Sequence, residues 1–394
     1  MIRVLLWPIG VAVVLMLGLA ACGASPAAPS RSPSVAHRQS LQPSPVPRPL
    51  AWSFVSLPGD SPIVDVSCPS PVFCAGVGQI GPNAASSTLI ETWDGKRWSI
   101  TPSPDSGSSG LNSVSCLSPA KCVAVGSTGS IGQALVETWD GTRWSITPSP
   151  RQGNARSTLI AVSCTGPAYC TAVGFYETGP LSHALIETWN GTRWSIPPSP
   201  SLSLGSGNDS LADVSCTSPA FCLAVGYTGP SRHALIETWN GTRWSITPGP
   251  SPRSGYDTLA DVSCTSPAFC MAVGGYFTGQ NSQSLTTTWN GIRWSIVYHP
   301  GFNINDVGAV SCASQAFCVS VGGTGPGAVS ALIETWSGAA WSIPPSPRPG
   351  DGAGLLGVSC ASPSFCAAVG FYSDATPLAE IGRPVRPSTA PRHS

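Results

Sequence analysis

Residues 159–174 read LIAVSCTGPAYCTAVG, and residues 184–200 read ALIETWNGTRWSIPPSP. These two strings, joined by a stretch of changing length, return along most of the chain. Their clearest marker is a pair of cysteines spaced C-x5-C. The pairs are Cys68/Cys74, Cys116/Cys122, Cys164/Cys170, Cys216/Cys222, Cys264/Cys270, Cys312/Cys318 and Cys360/Cys366. They take up fourteen of the 15 cysteines, and successive pairs lie 48 residues apart except for one step of 52 after Cys164. A fixed period in this range marks a repeat architecture.

Each unit carries four short runs of β-branched, aromatic and small residues, bounded by Gly, Pro and Ser. In the third unit the predicted strands are Leu159–Cys164, Cys170–Gly174, Ala184–Trp189 and Arg193–Ile196. Asn190-Gly191 joins the last two, a strong hairpin signal. It recurs as Asp94-Gly95, Asp140-Gly141, Asn240-Gly241 and Asn290-Gly291, and as Ser337-Gly338 in unit six. Four antiparallel strands per unit make a β-propeller blade. A helical solenoid would need a 3.6-residue period, which is absent. The seventh unit supplies Leu355–Cys360, Cys366–Tyr372 and a degenerate third strand, Leu378–Gly382, but no fourth. The fourth-strand pattern stands instead at the front of the chain, in Ala51 to Pro58 (AWSFVSLP). The prediction is an all-β, seven-bladed β-propeller over residues 51–383, closed by an N-terminal strand that completes the last blade and leaves no open edge.

On these motifs the units resemble bacterial extracytoplasmic β-propellers of the Asp-box and kelch-like kind. The turn T-W-[DN]-G-x-R-W resembles an Asp-box without the residue between Asp and Gly. The Gly ending strand two is similar to kelch, although the double Gly appears only at Gly274-Gly275 and Gly322-Gly323. The resemblance covers most of the chain and implies a fold that hosts many activities.

Ahead of the repeats, residues 1–21 read as an export signal: Arg3 followed by an apolar run too short for a membrane span. The run ends in Leu19-Ala20-Ala21-Cys22, which resembles the bacterial lipobox and implies a lipid on Cys22. Residues 22–50, rich in Pro, Ser and Ala, read as an extended tether, and residues 384–394 as a disordered tail. The expected location is the outer face of the cytoplasmic membrane. That space is oxidising, and the two cysteines of each C-x5-C pair face each other across the mouth of a hairpin. Each pair is therefore expected to form a disulfide within its blade, stabilising it by about 2 kcal/mol in the chain-entropy model.

Composition excludes some functions. The chain has 19 basic and 19 acidic residues, for a net charge of zero, so there is no basic excess to hold a nucleic acid. No metalloprotease, nucleophile-elbow, P-loop or EF-hand string occurs. In an up-and-down blade the one-to-two and three-to-four connections share one face, and here they are nearly invariant between units. The two-to-three and four-to-one connections share the other face and vary. Recognition usually lives on varied loops over a rigid scaffold.

That variable face is therefore the expected binding face for a protein or glycan, and Tyr176, Tyr227, Tyr276 and Tyr372 are its candidate contacts. Asp65, Asp213 and Asp261 stand three residues before the first Cys of their units, facing the channel. There, paired carboxylates suit calcium or acid–base work, or accept backbone N–H groups from a neighbour. His183 and His233 hold equivalent positions in adjacent blades, a conceivable metal pair. The Trp pairs, such as Trp189 and Trp194, are expected to pack between blades, and Glu187 with Arg193 to form an ion pair there. The leading expectation is a non-enzymatic, monomeric, lipid-anchored binding module without a cofactor. The alternative is a sialidase-like glycan-active enzyme, whose mark would be Arg, Tyr and acids clustered at the channel mouth.

Overall fold

The structure, a computed structural model, describes residues 49–385 except 82–85, 105–106, 130–131, 201–206, 251, 253–255, 278, 280–281, 298–305, 325–329, 345–351 and 373–374. The expected signal, Cys22, nearly all of the tether and most of the tail lie outside the described residues. Strands β1 to β28, numbered in chain order, form seven four-stranded antiparallel sheets. Blade three is representative, with β10 (Arg156–Gly166), β11 (Tyr169–Thr178), β12 (Leu181–Trp189) and β13 (Trp194–Ser195) side by side in that order.

The seventh blade closes the ring as expected. Its strands are β26 (Gly354–Ser362), β27 (Phe365–Phe371) and β28 (Pro377–Pro384), and β1 (Leu50–Val55) pairs with β28 from Leu50↔Pro384 to Val55↔Ala379. Trp52 and Leu378 lie in one core cluster.

Strand lengths follow the sequence at two places. In blades one, two and four the outer strand is three residues long. There the backbone N–H of Thr101, Thr147 or Thr247 continues the pairing by bonding the carbonyl of Ile90, Val136 or Ile236. Blades three and six have Pro197 and Pro344 at that position, and their outer strands stop at two residues. Proline has no N–H to give. The stretch of changing length between strands two and three is, in blade three, not a loop but a hairpin extension, paired out to Thr178↔Leu181.

The core is divided among the seven blade–blade interfaces. Val123, Val125 and Val136 of blade two meet Leu159, Val162, Cys170, Ala172, Leu185 and Trp194 of blade three. Val173 and Ile186 face the other way, into blade four. Both faces of each sheet are covered, which is why strand two reads as a near-continuous apolar run. The second Trp of each pair sits in these interfaces, as expected. The first Trp tilts against it, with ring centroids 5.7–5.8 Å apart. In blade three the Trp189 indole N–H donates to the Pro167 carbonyl of the disulfide hairpin, 3.1 Å away.

All seven expected disulfides are present within their blades, with Cα atoms 3.9–4.1 Å apart. They are Cys68–Cys74, Cys116–Cys122, Cys164–Cys170, Cys216–Cys222, Cys264–Cys270, Cys312–Cys318 and Cys360–Cys366. The paired cysteines face each other across the hairpin as expected, and the second of each pair lies deep. Cys74, Cys222, Cys270, Cys318 and Cys366 are wholly buried, each within the apolar cluster of a blade–blade interface. The reason is that the second cysteine belongs to strand two, as expected, and that strand is covered on both faces.

Two rings of polar contacts tie blade to blade. The inner ring uses the Ser that precedes the first Cys. Its hydroxyl accepts the N–H of that Cys in the next blade, from Ser67 to Cys116 round to Ser311 to Cys360. Ser359 then accepts from Cys68 at 2.9 Å, across the seam.

The outer ring corrects the expected Glu187–Arg193 ion pair. Glu187 is buried on β12, while Arg193 is exposed in the turn just before Trp194. The carboxylate is held instead by the Ser149 hydroxyl of the preceding connection, at 2.9 and 3.0 Å. Ser103 holds Glu137 and Ser199 holds Glu237 in the same way. Before blade five the connection carries Gly249 where those before blades two, three and four carry Ser103, Ser149 and Ser199, and the strand carries Thr287 in place of Glu. In blade one Glu91 instead accepts the Gly59 N–H at 3.0 Å.

These buried acids set a pH dependence. Burial pushes Glu91 and Glu187 up to about 7, and Asp65 up to about 6. A carboxyl whose folded pKa exceeds its unfolded value favours folding most when protonated, and that contribution is lost as pH rises through the folded pKa. The thermal midpoint is therefore expected to be several degrees higher at pH 5 than at pH 8. A midpoint that is flat or rising over that range would contradict the burial of these groups as acids.

Candidate binding face

Every inner strand carries a register shift just after its first large apolar residue, as between Leu159 and Ala161 or Leu211 and Asp213. Such a bulge re-aims the next side chain. At that position stand Asp65, Asp213 and Asp261, and each reaches sideways to the next blade. Asp65 accepts the N–H groups of Val66 at 2.7 Å and Val114 at 2.9 Å. Asp213 accepts from Val262 at 2.8 Å, and Asp261 from Val310 at 2.9 Å. Asp213 and Asp261 also share a hydrogen bond, and burial raises both, Asp213 the more strongly. One of the two must hold the shared proton. Among the described residues no group of three His, Cys, Asp or Glu comes together to hold a metal. The three carboxyls are engaged as staples between blades. The bridged cysteines play an equally structural part: Cys74, Cys222, Cys270 and Cys318 are shut into the core and touch neither cleft described below.

The four candidate tyrosines do not converge. Tyr176 packs on His183, with centroids 5.1 Å apart, at the edge of the core between blades two and three. Tyr372 packs on the core between blades six and seven. Tyr227, under Arg232 in the neighbouring blade, lies behind the wall of a cleft of about 360 Å³ that Tyr276 lines. Its walls are Arg232, Tyr256, Tyr276 and Phe277, over a floor of Ala260, Gly274, Gly275 and Gly308. The Tyr276 hydroxyl donates to Gln283 at 2.6 Å. Tyr256 and Phe277 are 53% and 41% exposed. A second cleft, of about 510 Å³, crosses the seam of blades seven, one and two beside Asp60, Gln79, Asn112 and Phe371.

Arg232 is one of four non-glycine residues with a left-handed backbone among the described residues, beside Ser108, Asn208 and Ala375, and it is the one of them on the wall of this cleft. In blade two the turn after the second strand ends on Gly132 (φ 59°), whose N–H bonds the Gly129 carbonyl. Blade four builds the same turn, Gly229 to Arg232, and places an arginine in the left-handed region (φ 47°). That conformation costs a non-glycine residue about 1–2 kcal/mol. The guanidinium lies 4.9 Å above the Tyr227 ring and meets no carboxylate among the described residues. Strain retained against stability points to a use for the side chain. The sequence by itself singles out neither Arg232 nor Tyr256. The available signal is the break in the repeat, an Arg in unit four where unit two has Gly.

The two histidines take separate partners. His183 Nε2 bonds the Thr178 hydroxyl at 2.7 Å, while His233 Nδ1 lies 3.3 Å from the buried Asp257 carboxylate of the next blade. The repeat arginines, from Arg97 to Arg293, are exposed on the turns of the opposite face.

No family model matches the chain, and no curated protein matches it. Solved propellers do. A structure of YCF48 bound to D1 peptide superposes with a TM-score of 0.53 at 15% identity, covering 88% of this chain and 100% of that one. YCF48 from Cyanidioschyzon merolae gives a TM-score of 0.56 at 16% identity, covering 85% of this chain and 99% of that one. The likeness is one of fold.

Proposed function

We propose that the protein is a lipid-anchored, extracytoplasmic and monomeric β-propeller that binds a protein segment in the cleft between blades four, five and six. The observation that carries this reading is Arg232, held at a glycine position beside the exposed Tyr256 and Phe277. The topology supports it. β1 begins, and β28 ends, at the face of the invariant turns, so the variable face points away from where the tether joins. A propeller of this fold, YCF48, takes a D1 peptide. The lipobox at Cys22 supplies the anchor, and Cys22→Ala is expected to abolish incorporation of labelled fatty acid. Glycan binding is the second reading, favoured by the exposed ring of Tyr256.

The test is a displayed library of extended peptides selected on the full chain. Arg232→Gly is expected to stabilise the fold by about 1 kcal/mol, through relief of the left-handed strain, and to weaken selected peptides at least about tenfold. Tyr256→Ala is expected to weaken them without that gain in stability. Peptides that bind both variants like the parent would sink the proposal. Hits on a glycan array that are lost in Tyr256→Ala, with no peptide selected, would install the second reading.

A further inference from the structure

The zero net charge conceals a segregation. In blades one to five the three-to-four turn is capped by an oxygen acceptor that takes backbone N–H groups two and three residues on. Asp94 and Asp140 do this in blades one and two, and Asn190, Asn240 and Asn290 in blades three to five. The turn needs the oxygen and not the charge. Arg97 and Arg143 consequently have a carboxylate beside them, at 3.7 and 3.9 Å. Arg193, Arg243 and Arg293 have none among the described residues, and all are exposed. Lys96, Lys121 and Arg383 add to the same face, where the described acids are Asp94 and Asp140 alone. The remaining described carboxyls are buried between blades, line the channel or stand on the variable face. The tip of the blade-five turn is Ile292, 85% exposed, where blades two to four have Thr.

We infer that the invariant-turn face docks on an anionic bilayer surface. Its charge is complementary to anionic headgroups, and basic residues near such a surface each strengthen association about fivefold. Leu50 and Pro384 end their strands on this face. The chain that precedes residue 50, with the proposed lipid, therefore joins the propeller on the side that carries the charge. Docking would orient the ring with the variable face outward. The inference rests on the membrane-tethered reading of the chain and not on what the cleft binds.

The full chain is reconstituted into vesicles containing brominated phosphatidylglycerol or brominated phosphatidylcholine, and tryptophan quenching is read, since Trp139, Trp189, Trp239 and Trp289 lie partly exposed beside these turns. Quenching is expected in the anionic vesicles, is expected to fade with added salt, and is expected to be weak in the neutral ones. The combined variant Arg193→Gln, Arg243→Gln and Arg293→Gln is expected to lower the docking equilibrium by on the order of 100-fold. Arg232→Gly, on the other face, is expected to leave it unchanged. Equal quenching in both lipids, insensitivity to salt, or an unaffected triple variant would overturn the inference. So would capture by a soluble polyanion with no quenching by lipid. Quenching is also read with vesicles added to the chain in solution. A chain that leaves the vesicles at high salt would then count against the lipid anchor while the docking result stands.

Discussion

Trp52→Ala is expected to destabilise the propeller by about 3–5 kcal/mol, the range for removing a large aromatic from a core. Trp52 is 6% exposed and packs with Leu50, Leu355 and Leu378 in the interface between blades six and seven. It occupies the place that Trp98 or Trp144 holds in its own blade. The difference lies in connectivity. Trp98 follows its strand three through a four-residue turn, whereas β1 reaches β28 from the far end of the sequence and is held only by pairing and packing. Loss of the ring should therefore free β1 as well as leave a cavity. Denaturation by guanidinium, without reductant, measures the first effect, and limited proteolysis near residue 55 measures the second. A loss of stability under about 1 kcal/mol, with β1 still protected, would mean that the seam does not depend on this residue.

The second large effect sets two adjacent glycines apart. A Cβ on Gly274 would stand 2.1 Å from the Thr258 carbonyl oxygen of the inner strand, whereas one on Gly275 would find its nearest neighbour, the Gln283 carbonyl, at 3.5 Å. Gly126, Gly174, Gly226 and Gly370 share the first geometry, at 2.0–2.1 Å. The cause is the inner-strand bulge, which pushes a carbonyl toward strand two. Gly274→Ala should cost at least about 3 kcal/mol, because the clash is with backbone that cannot move without breaking the pairing. Gly275→Ala should be close to neutral. Guanidinium midpoints of the two variants decide the matter, and equal midpoints would show that the bulge is not rigid.

Much of this architecture was legible in the residues. The period, the hairpin signals and the orphan strand pattern at Ala51–Pro58 each state a local rule, and together they require a closed ring of seven. The cysteine pairing was legible too, but not the burial of Cys74, Cys222, Cys270 and Cys318, because the neighbouring blade that covers them lies far off in the chain. The polar contacts between blades were less legible, for the same physical reason. Ser163 precedes a cysteine in sequence but serves the cysteine 53 positions later, in the next blade. Glu187 is six residues from Arg193 and 38 from Ser149, its real partner. Nearness in sequence favoured the wrong pair. The cleft was harder still. Arg232 and Tyr256 break the repeat, but so do many loop residues. Only the turn geometry shared with Gly132 shows that the arginine is held at a cost.

The disulfides have a consequence for biogenesis. Each joins a cysteine to the next one in the sequence, six residues on, and no bridge spans two blades. Thiols oxidised in the order in which they emerge from a translocation pore would thus reach the native pairing without reshuffling, and acylation of Cys22 would withdraw the odd one. Exported as proposed, the polypeptide would need an electron acceptor and no isomerase, each bridge closing within its own hairpin.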